Sequence, residues 1–185
     1  MGPQGSGKGT QAARLATRLG VPAISTGDIF RANVKGGTPL GVQAKALIDA
    51  GDLVPDSITN AMVRDRLAQP DAAEGFILDG YPRNAAQVEA LDALLAERGY
   101  ELDAVLELTA DRTELLARLA RRAQLEGRAD DTAEVIEKRL AIYGEQTQPL
   151  TDRYRDRGLL VTVNGIGDVD EVTERLVASL GARVG

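Results

Sequence analysis

Met1-Gly2-Pro3-Gln4-Gly5-Ser6-Gly7-Lys8-Gly9-Thr10 opens the chain. Glycines at 2, 5, 7 and 9 let the backbone turn tightly and aim successive N–H groups into a concave nest for phosphate oxygens. Lys8 adds a point charge at the outer phosphates. Beyond the loop, Ala12, Leu15, Ala16 and Leu19 recur at helical spacing, so the loop opens onto a helix whose positive N-terminal end reinforces anion binding. Gly20 supplies the C′ residue that stops it. The pattern G-x-x-x-x-G-K-[ST] is met from Gly2 to Lys8, but the hydroxyl arrives one residue late, at Thr10. A glycine-rich turn with a chance lysine would account for the loop but not for the amphipathic helix attached to it.

Composition narrows the class. A length of 185 residues suits one domain with small inserts, and 43% hydrophobic with 27% charged residues is ordinary for a globular chain able to bury a core. The net charge of −6 argues against a general nucleic-acid or anionic-membrane surface, so phosphate binding here is local. Without cysteine there is no disulfide and no thiolate metal site. Without histidine the commonest general base is missing. No signal sequence, lipidation motif or long apolar run stands out, which makes a cytoplasmic location the expectation.

Short apolar runs alternate with helical patterns along the rest of the chain. Ala23–Ser25, Phe76–Asp79, Ala104–Leu108 and Leu159–Val163 read as strands. Helices are expected over Leu40–Ala50, Ser57–Ala68 with Ser57 as N-cap, Asn84–Arg98, Arg112–Ala123, Thr132–Gln148 and Val169–Leu180, stopped by Gly51, Gly99, Pro149 or Gly181 where these follow. Strands separated by helices imply right-handed parallel crossovers, hence an α/β fold with a parallel sheet covered on both faces. Ligands of such sheets collect beyond the carboxyl ends of the strands, where Ser25-Thr26-Gly27-Asp28 and Asp79-Gly80-Tyr81-Pro82-Arg83 fall.

These segments carry candidate chemistry. Asp79 closes a strand and suits an approach to hydrated Mg²⁺ beside nucleotide phosphates, or else a cap on the turn made by Gly80 and Pro82. Arg83 follows a rigid proline and suits a planar grip on phosphate, or a surface ion pair. Thr26-Gly27-Asp28 also fits a plain helix start with Asp28 as its cap. With 18 arginines against 4 lysines, only placement makes an arginine informative. Arg118 and Arg122 share a helix face, Arg128 lies in a polar loop and Arg139 in the next helix. Such a cluster suits a clamp over several phosphates, or a solvated face paired with Glu126, Asp130, Asp131 and Glu137.

Taken together, Gly5-Ser6-Gly7-Lys8-Gly9-Thr10, Ser25-Thr26-Gly27-Asp28 with Arg31, Ala50-Gly51-Asp52-Leu53-Val54, Asp79-Gly80-Tyr81-Pro82-Arg83 with Gln87, and Arg128-Ala129-Asp130-Asp131 with Lys138-Arg139 resemble the adenylate kinase family in order and spacing. The resemblance covers essentially the whole chain. It implies the nucleoside monophosphate kinase form of the phosphate-loop fold and transfer of the terminal phosphoryl group of ATP to AMP. It also implies that residues 5–10 hold the ATP phosphates and that Lys8 follows the moving charge. Thr26, Gln87 and the backbone of Asp52, Leu53 and Val54 would meet the adenine of AMP, with Gly80, Tyr81 and Pro82 lining that side. Arg31, Arg83, Arg128 and Arg139 would bind the AMP phosphate or the transferring group. Arg122 and Arg118 would approach ATP from a lid, and the backbone near Gly167 would meet its adenine.

The same resemblance implies a division into core (1–24, 55–120, 132–185), an AMP-binding segment (25–54) and a short lid (121–131). Long-lidded relatives often hold the lid with cysteine-ligated zinc, so no zinc is expected, only Mg²⁺. The expected partners are ATP, AMP and ADP, with no nucleic acid and no membrane, and the expected state is a monomer. The acceptor is already an anion, with a second pKa of about 6, so no general base is required, which agrees with an arginine-rich site lacking histidine. Direct in-line transfer, with no covalent intermediate, then rests on positioning and charge stabilisation. Pyrimidine or guanine nucleoside monophosphate kinases share most of these residues, and a non-catalytic nucleotide-binding protein is the alternative from another class. In the family a buried strand stands directly before the glycine loop, at the centre of the sheet, and that strand is missing from this chain. The natural protein is therefore expected to begin several residues upstream of Met1, and a chain beginning at Met1 is expected to be weakly stable and impaired in activity.

Overall fold

The alternation of apolar runs and amphipathic stretches resolves, in a computed structural model that describes residues 1–126 and 132–181, into four strands and nine α-helices. In chain order they are α1 (Lys8–Leu19), β1 (Ala23–Ser25), α2 (Thr26–Lys35), α3 (Pro39–Asp49), α4 (Asp56–Leu67), β2 (Ile77–Asp79), α5 (Ala85–Glu97), β3 (Val105–Thr109), α6 (Arg112–Glu126), α7 (Ala133–Ile142), α8 (Leu150–Asp156), β4 (Leu160–Asn164) and α9 (Val169–Leu180). None of the described helices is long and apolar enough to cross a membrane.

All strand pairing is parallel, as the βα alternation requires. β1 lies beside β2 with Ile24 opposite Leu78, and β3 beside β4 with Glu107 opposite Thr162. Along β3 and β4 the side chains alternate between two layers. Leu106, Leu108, Val161 and Val163 meet Leu15 of α1 and Val172, Leu176 and Leu180 of α9. Val105 and Leu160 face the opposite way, onto Val88 of α5 and Leu150 and Tyr154 of α8. Ile24 of β1 packs on that second side, with Val63 and Leu67 of α4 and Leu91, Leu94 and Leu95 of α5. The α/β fold with helices on both faces is therefore as the sequence implies.

The sheet itself is divided: the described strands form two separate pairs, β1–β2 and β3–β4. Among the described residues β2 and β3 each keep one edge without a strand partner, and the backbone of Met1 begins to fill the β3 edge. Met1 donates through its terminal nitrogen to Leu106 O and accepts from Leu108 N at 3.0 Å. A cavity of about 990 Å³ runs from the glycine loop past Ile77 and Leu78 of β2 and Val105, Leu106 and Leu108 of β3.

Helix ends differ from expectation in instructive ways. α4 begins at Asp56, with Pro55 at the N-cap, so Ser57 lies inside the helix rather than capping it. α2 is capped by Ser25, whose side chain accepts from Asp28 N at 3.3 Å; Asp28 sits in the first turn instead. Thr132 caps α7, but the helical run then widens into a π turn over Tyr143–Thr147. Pro149 does not end helical structure; it stands at the N-cap of α8, a position its fixed φ tolerates. α2 and α3 share a small core of Phe30, Ala44 and Val54. They touch so closely that a Cβ on Gly41 would lie 2.1 Å from Asn33 O, which only glycine permits.

Candidate active site

The glycine loop turns through positive φ at Gly2, Gly5 and Gly7. Two of these glycines are fixed by crowding as well as torsion. A Cβ on Gly2 would stand 2.4 Å from Leu108 O, and one on Gly5 would stand 2.8 Å from Leu115 O. Gly7 caps α1 in the left-handed region and offers no side chain, so the first-turn amides of α1 are left to face an anion. Ser6 Oγ and Gln4 Oε1 are buried in this loop without a hydrogen-bond partner, as groups awaiting a polar ligand would be. Thr10 is exposed on the first turn of α1.

Lys8 donates from Nζ to Pro3 O at 2.8 Å. Burial lowers its pKa from 10.5 to about 8; Asp79 opposes the shift, while the charges of Arg83, Arg139 and Arg122 add to it. Residues far apart in sequence thus share one electrostatic neighbourhood. Asp79 ends β2 against the loop, with Oδ2 3.6 Å from where a Cβ on Gly9 would stand. Among the described residues no three His, Cys, Asp or Glu side chains gather as a metal cage. A lone carboxylate beside a phosphate cradle instead fits Mg²⁺, which keeps most of its waters. Arg118 lies at the rim: its Nε donates to Glu114 at 2.6 Å and its Nη1 is 3.8 Å from a Cβ placed on Gly7.

A smaller cavity of about 70 Å³ lies beside this cluster. It is lined by Thr26, Arg31, Asp52, Leu53, Val54, Gly80, Gln87 and Arg139 together with Arg83, so the residues predicted for one nucleotide seat do converge. Thr26 is buried and donates to Gly80 O at 3.0 Å. Gly80 has φ +79°, and a side chain there would press on Thr26 Oγ1 at 2.9 Å. Arg83 folds back to donate from Nε to Gly80 O at 2.8 Å; burial lowers its pKa, with Asp79 opposing. Arg31 is ion-paired with Asp28. Gly51 packs so near α7 that a Cβ would meet Val135 Cγ1 at 2.9 Å, and Lys138 pairs with Asp52 at 2.6 Å. Tyr81 and Pro82, joined by a cis peptide bond, are buried behind Arg83.

Gln87 is 2% exposed, and its amide is held at both ends. Its Oε1 accepts from Arg83 N at 2.8 Å, and its Nε2 donates to Asp56 Oδ1 at 2.7 Å. Asp56 also accepts from Asn84 Nδ2 at 3.0 Å, while Asn84 Oδ1 caps α5 through Gln87 N at 2.9 Å. Thr147 Oγ1, from the π turn, donates to Arg83 O at 2.7 Å. Sequence reading missed Asp56, Asn84 and Thr147. An acid at a helix start reads as a dipole partner, and nothing local shows that it reaches a residue 31 positions away.

At the far end of the cleft, Gly165 packs so close to the loop that a Cβ would lie 3.0 Å from Ser6 O. Gly167 follows at φ +122°, and Arg175 braces this turn by donating from Nη1 to Asn164 O at 2.6 Å and Ile166 O at 2.9 Å. Arg128 lies outside the described residues, as do residues 127–131 of the expected lid.

Known proteins match the chain over most of its length. The family profile described as adenylate kinase matches residues 1–159. The chain is 61% identical over 180 residues to an adenylate kinase of Kocuria rhizophila, covering 97% of this chain and 96% of that protein. It is 57% identical over 183 residues to one of Thermobifida fusca, covering 99% and 97% respectively.

Proposed function

The chain belongs to the adenylate kinase family of ATP:AMP phosphotransferases, and from that premise we propose that it transfers the terminal phosphoryl group of ATP reversibly to AMP, giving two ADP in adenine nucleotide homeostasis. The observation that carries the reading is the convergence of Asp79, Arg83, Arg122 and Arg139 on Lys8, beside a second pocket framed by Thr26 and Gln87. Two nucleotide seats sharing one cluster of cations suit two substrates that repel each other.

A phosphate oxygen of AMP attacks the γ-phosphorus of ATP. The new O–P bond forms as the bond to the β–γ bridging oxygen breaks, and the electron pair leaves with ADP. No proton need move, so the cluster works by orientation and charge. The loop amides of residues 5–10 cradle the ATP phosphates, and Lys8 exchanges its Pro3 carbonyl for them as charge shifts. Arg83 and Arg31 give up Gly80 O and Asp28 for the AMP phosphate, joined by Arg139 and Arg128. Arg122 and Arg118 reach ATP from the lid side, and the Gly167 backbone meets its adenine. Asp79 would hold Mg²⁺ through water, and the ion would supply charge neutralisation at the phosphate oxygens. Thr26, Gln87 and the backbone of residues 52–54 receive the adenine of AMP, with Gly80, Tyr81 and Pro82 behind. Residues 25–54 and 121–131 close over the pair and exclude water, which would otherwise accept the phosphoryl group. The enzyme acts as a cytoplasmic monomer.

A coupled assay for ADP formation from ATP with AMP, CMP, UMP or GMP at matched concentration tests the reading. AMP-dependent turnover well above the rest is expected; equal turnover of CMP or UMP would overturn the AMP assignment.

A further inference from the structure

The Gln87 amide has more partners than a residue that merely fills a pocket wall requires. An amide carries two N–H donors and two acceptor lone pairs. Here one donor is committed to Asp56 and one lone pair to the Arg83 N–H. Rotating the amide by a half turn would set Oε1 against the Asp56 carboxylate and Nε2 against the Arg83 N–H, two repulsive contacts at about 2.7–2.8 Å. Asp56 is itself held by Asn84, and Tyr81 Oη, which donates to Asn60 Oδ1 at 2.8 Å and Gln87 O at 3.2 Å, fixes the backbone behind the amide. The orientation is therefore dictated by the network, not by the side chain.

Among the described residues, one N–H and one lone pair of the amide remain uncommitted. That is the complement of an adenine edge, where a ring nitrogen accepts next to an amino group that donates. A 6-oxopurine reverses the order, with a carbonyl acceptor beside a ring N–H. The amide can serve that edge only after the half turn that Asp56 forbids. We propose that Asp56 is the positioning residue that sets base selectivity at the monophosphate seat, by locking the Gln87 amide in the orientation that matches a 6-aminopurine and rejects a 6-oxopurine. The inference rests on the assignment of Gln87 to the AMP base. Asp56 touches no substrate; it acts through Gln87.

Steady-state kinetics with AMP and IMP at saturating ATP test this on the full chain, comparing the unaltered protein with Asp56→Asn, Gln87→Leu and the double variant. An asparagine keeps the shape of residue 56 but can present either an oxygen or an N–H to the amide. Asp56→Asn is expected to raise KM for AMP about fivefold and to reduce the AMP-to-IMP ratio of kcat/KM roughly tenfold, the size of one well-oriented base contact. KM for ATP should stay within about twofold. In the Gln87→Leu background the same change should add nothing further to the loss of selectivity. Asp56→Ser, whose hydroxyl donates or accepts, reads out the same loss should the asparagine variant fail to fold. If Gln87→Leu lowers the AMP-to-IMP ratio while Asp56→Asn and Asp56→Ser keep it, the positioning role is overturned and the Gln87 assignment stands. If Gln87→Leu keeps the ratio, the assignment itself falls and the inference with it.

Discussion

The two sides of the cleft are organised by different physics. On the loop side the anion seat is built from backbone: glycine torsions, close approaches at Gly2 and Gly5, and the uncapped start of α1. Its buried cation, Lys8, donates to the Pro3 carbonyl, and among the described residues the β2 and β3 edges beside it have no strand partner. On the side of the proposed monophosphate seat the wall is built from side chains, with Thr26, Asp56, Arg83, Asn84, Gln87 and Thr147 joined by hydrogen bonds across α2, α4, α5 and the π turn. Backbone cradles are local and tolerate little substitution at a few glycines. Side-chain networks span the chain and can be retuned one partner at a time.

The largest effect should come from breaking the loop side at its charge. Lys8→Met is expected to lower kcat about 10³-fold, roughly 4 kcal/mol of transition-state stabilisation, with KM for AMP nearly unchanged. The coupled ADP assay measures both. A smaller gain should follow from covering the open strand edges on the same side. Adding six apolar, β-branched residues ahead of Met1, to run between β2 and β3, should raise stability by about 3 kcal/mol and the Tm by roughly 6–12 °C, read by thermal unfolding. An unchanged Tm would mean that the two edges do not accept a strand.

The contrast also has a pH signature. The folded Lys8 releases its proton at about 8, whereas the unfolded lysine holds it to 10.5, so between those values the unfolded state binds more protons. Ligand-free stability should therefore rise with pH above 8, by about 1–2 kcal/mol up to pH 9.5. Tyr81, Tyr143 and Tyr154 are each raised to about 12 by burial and oppose the trend only above their ordinary value of 10. Denaturant melts of Lys8→Met should lack the rise. Smallest of all, Lys138→Met on the network side removes a half-exposed pair with Asp52 and should cost less than about 1 kcal/mol, seen as a change of under about fivefold in KM for AMP.

The same contrast explains what could be read in the sequence. Ten consecutive residues were enough to propose a phosphate seat, because its determinants are torsional and contiguous. The parallel α/β fold followed from the βα alternation, and the meeting of Thr26, Gly80 and Arg83 from strand ends, whereas Gln87 was expected there only from the family resemblance. Asp56 stayed hidden because its partners lie 28 and 31 residues away, and nothing in the adjacent sequence points to them. α8 was missed because Pro149 reads as a stop, although proline is equally at home where a helix begins. The division of the sheet into two pairs depends on which edges find partners, and alternation does not report that.

Lys8 carries one more consequence. A lysine that is partly deprotonated near pH 8 when alone, and that must be fully charged against phosphates, makes nucleotide binding a proton-consuming event in mildly alkaline solution. The heat of binding would then depend on the ionisation enthalpy of the buffer, so the same nucleotide titrated in phosphate and in Tris at one pH would yield different apparent enthalpies. The slope between them counts the protons the loop takes up.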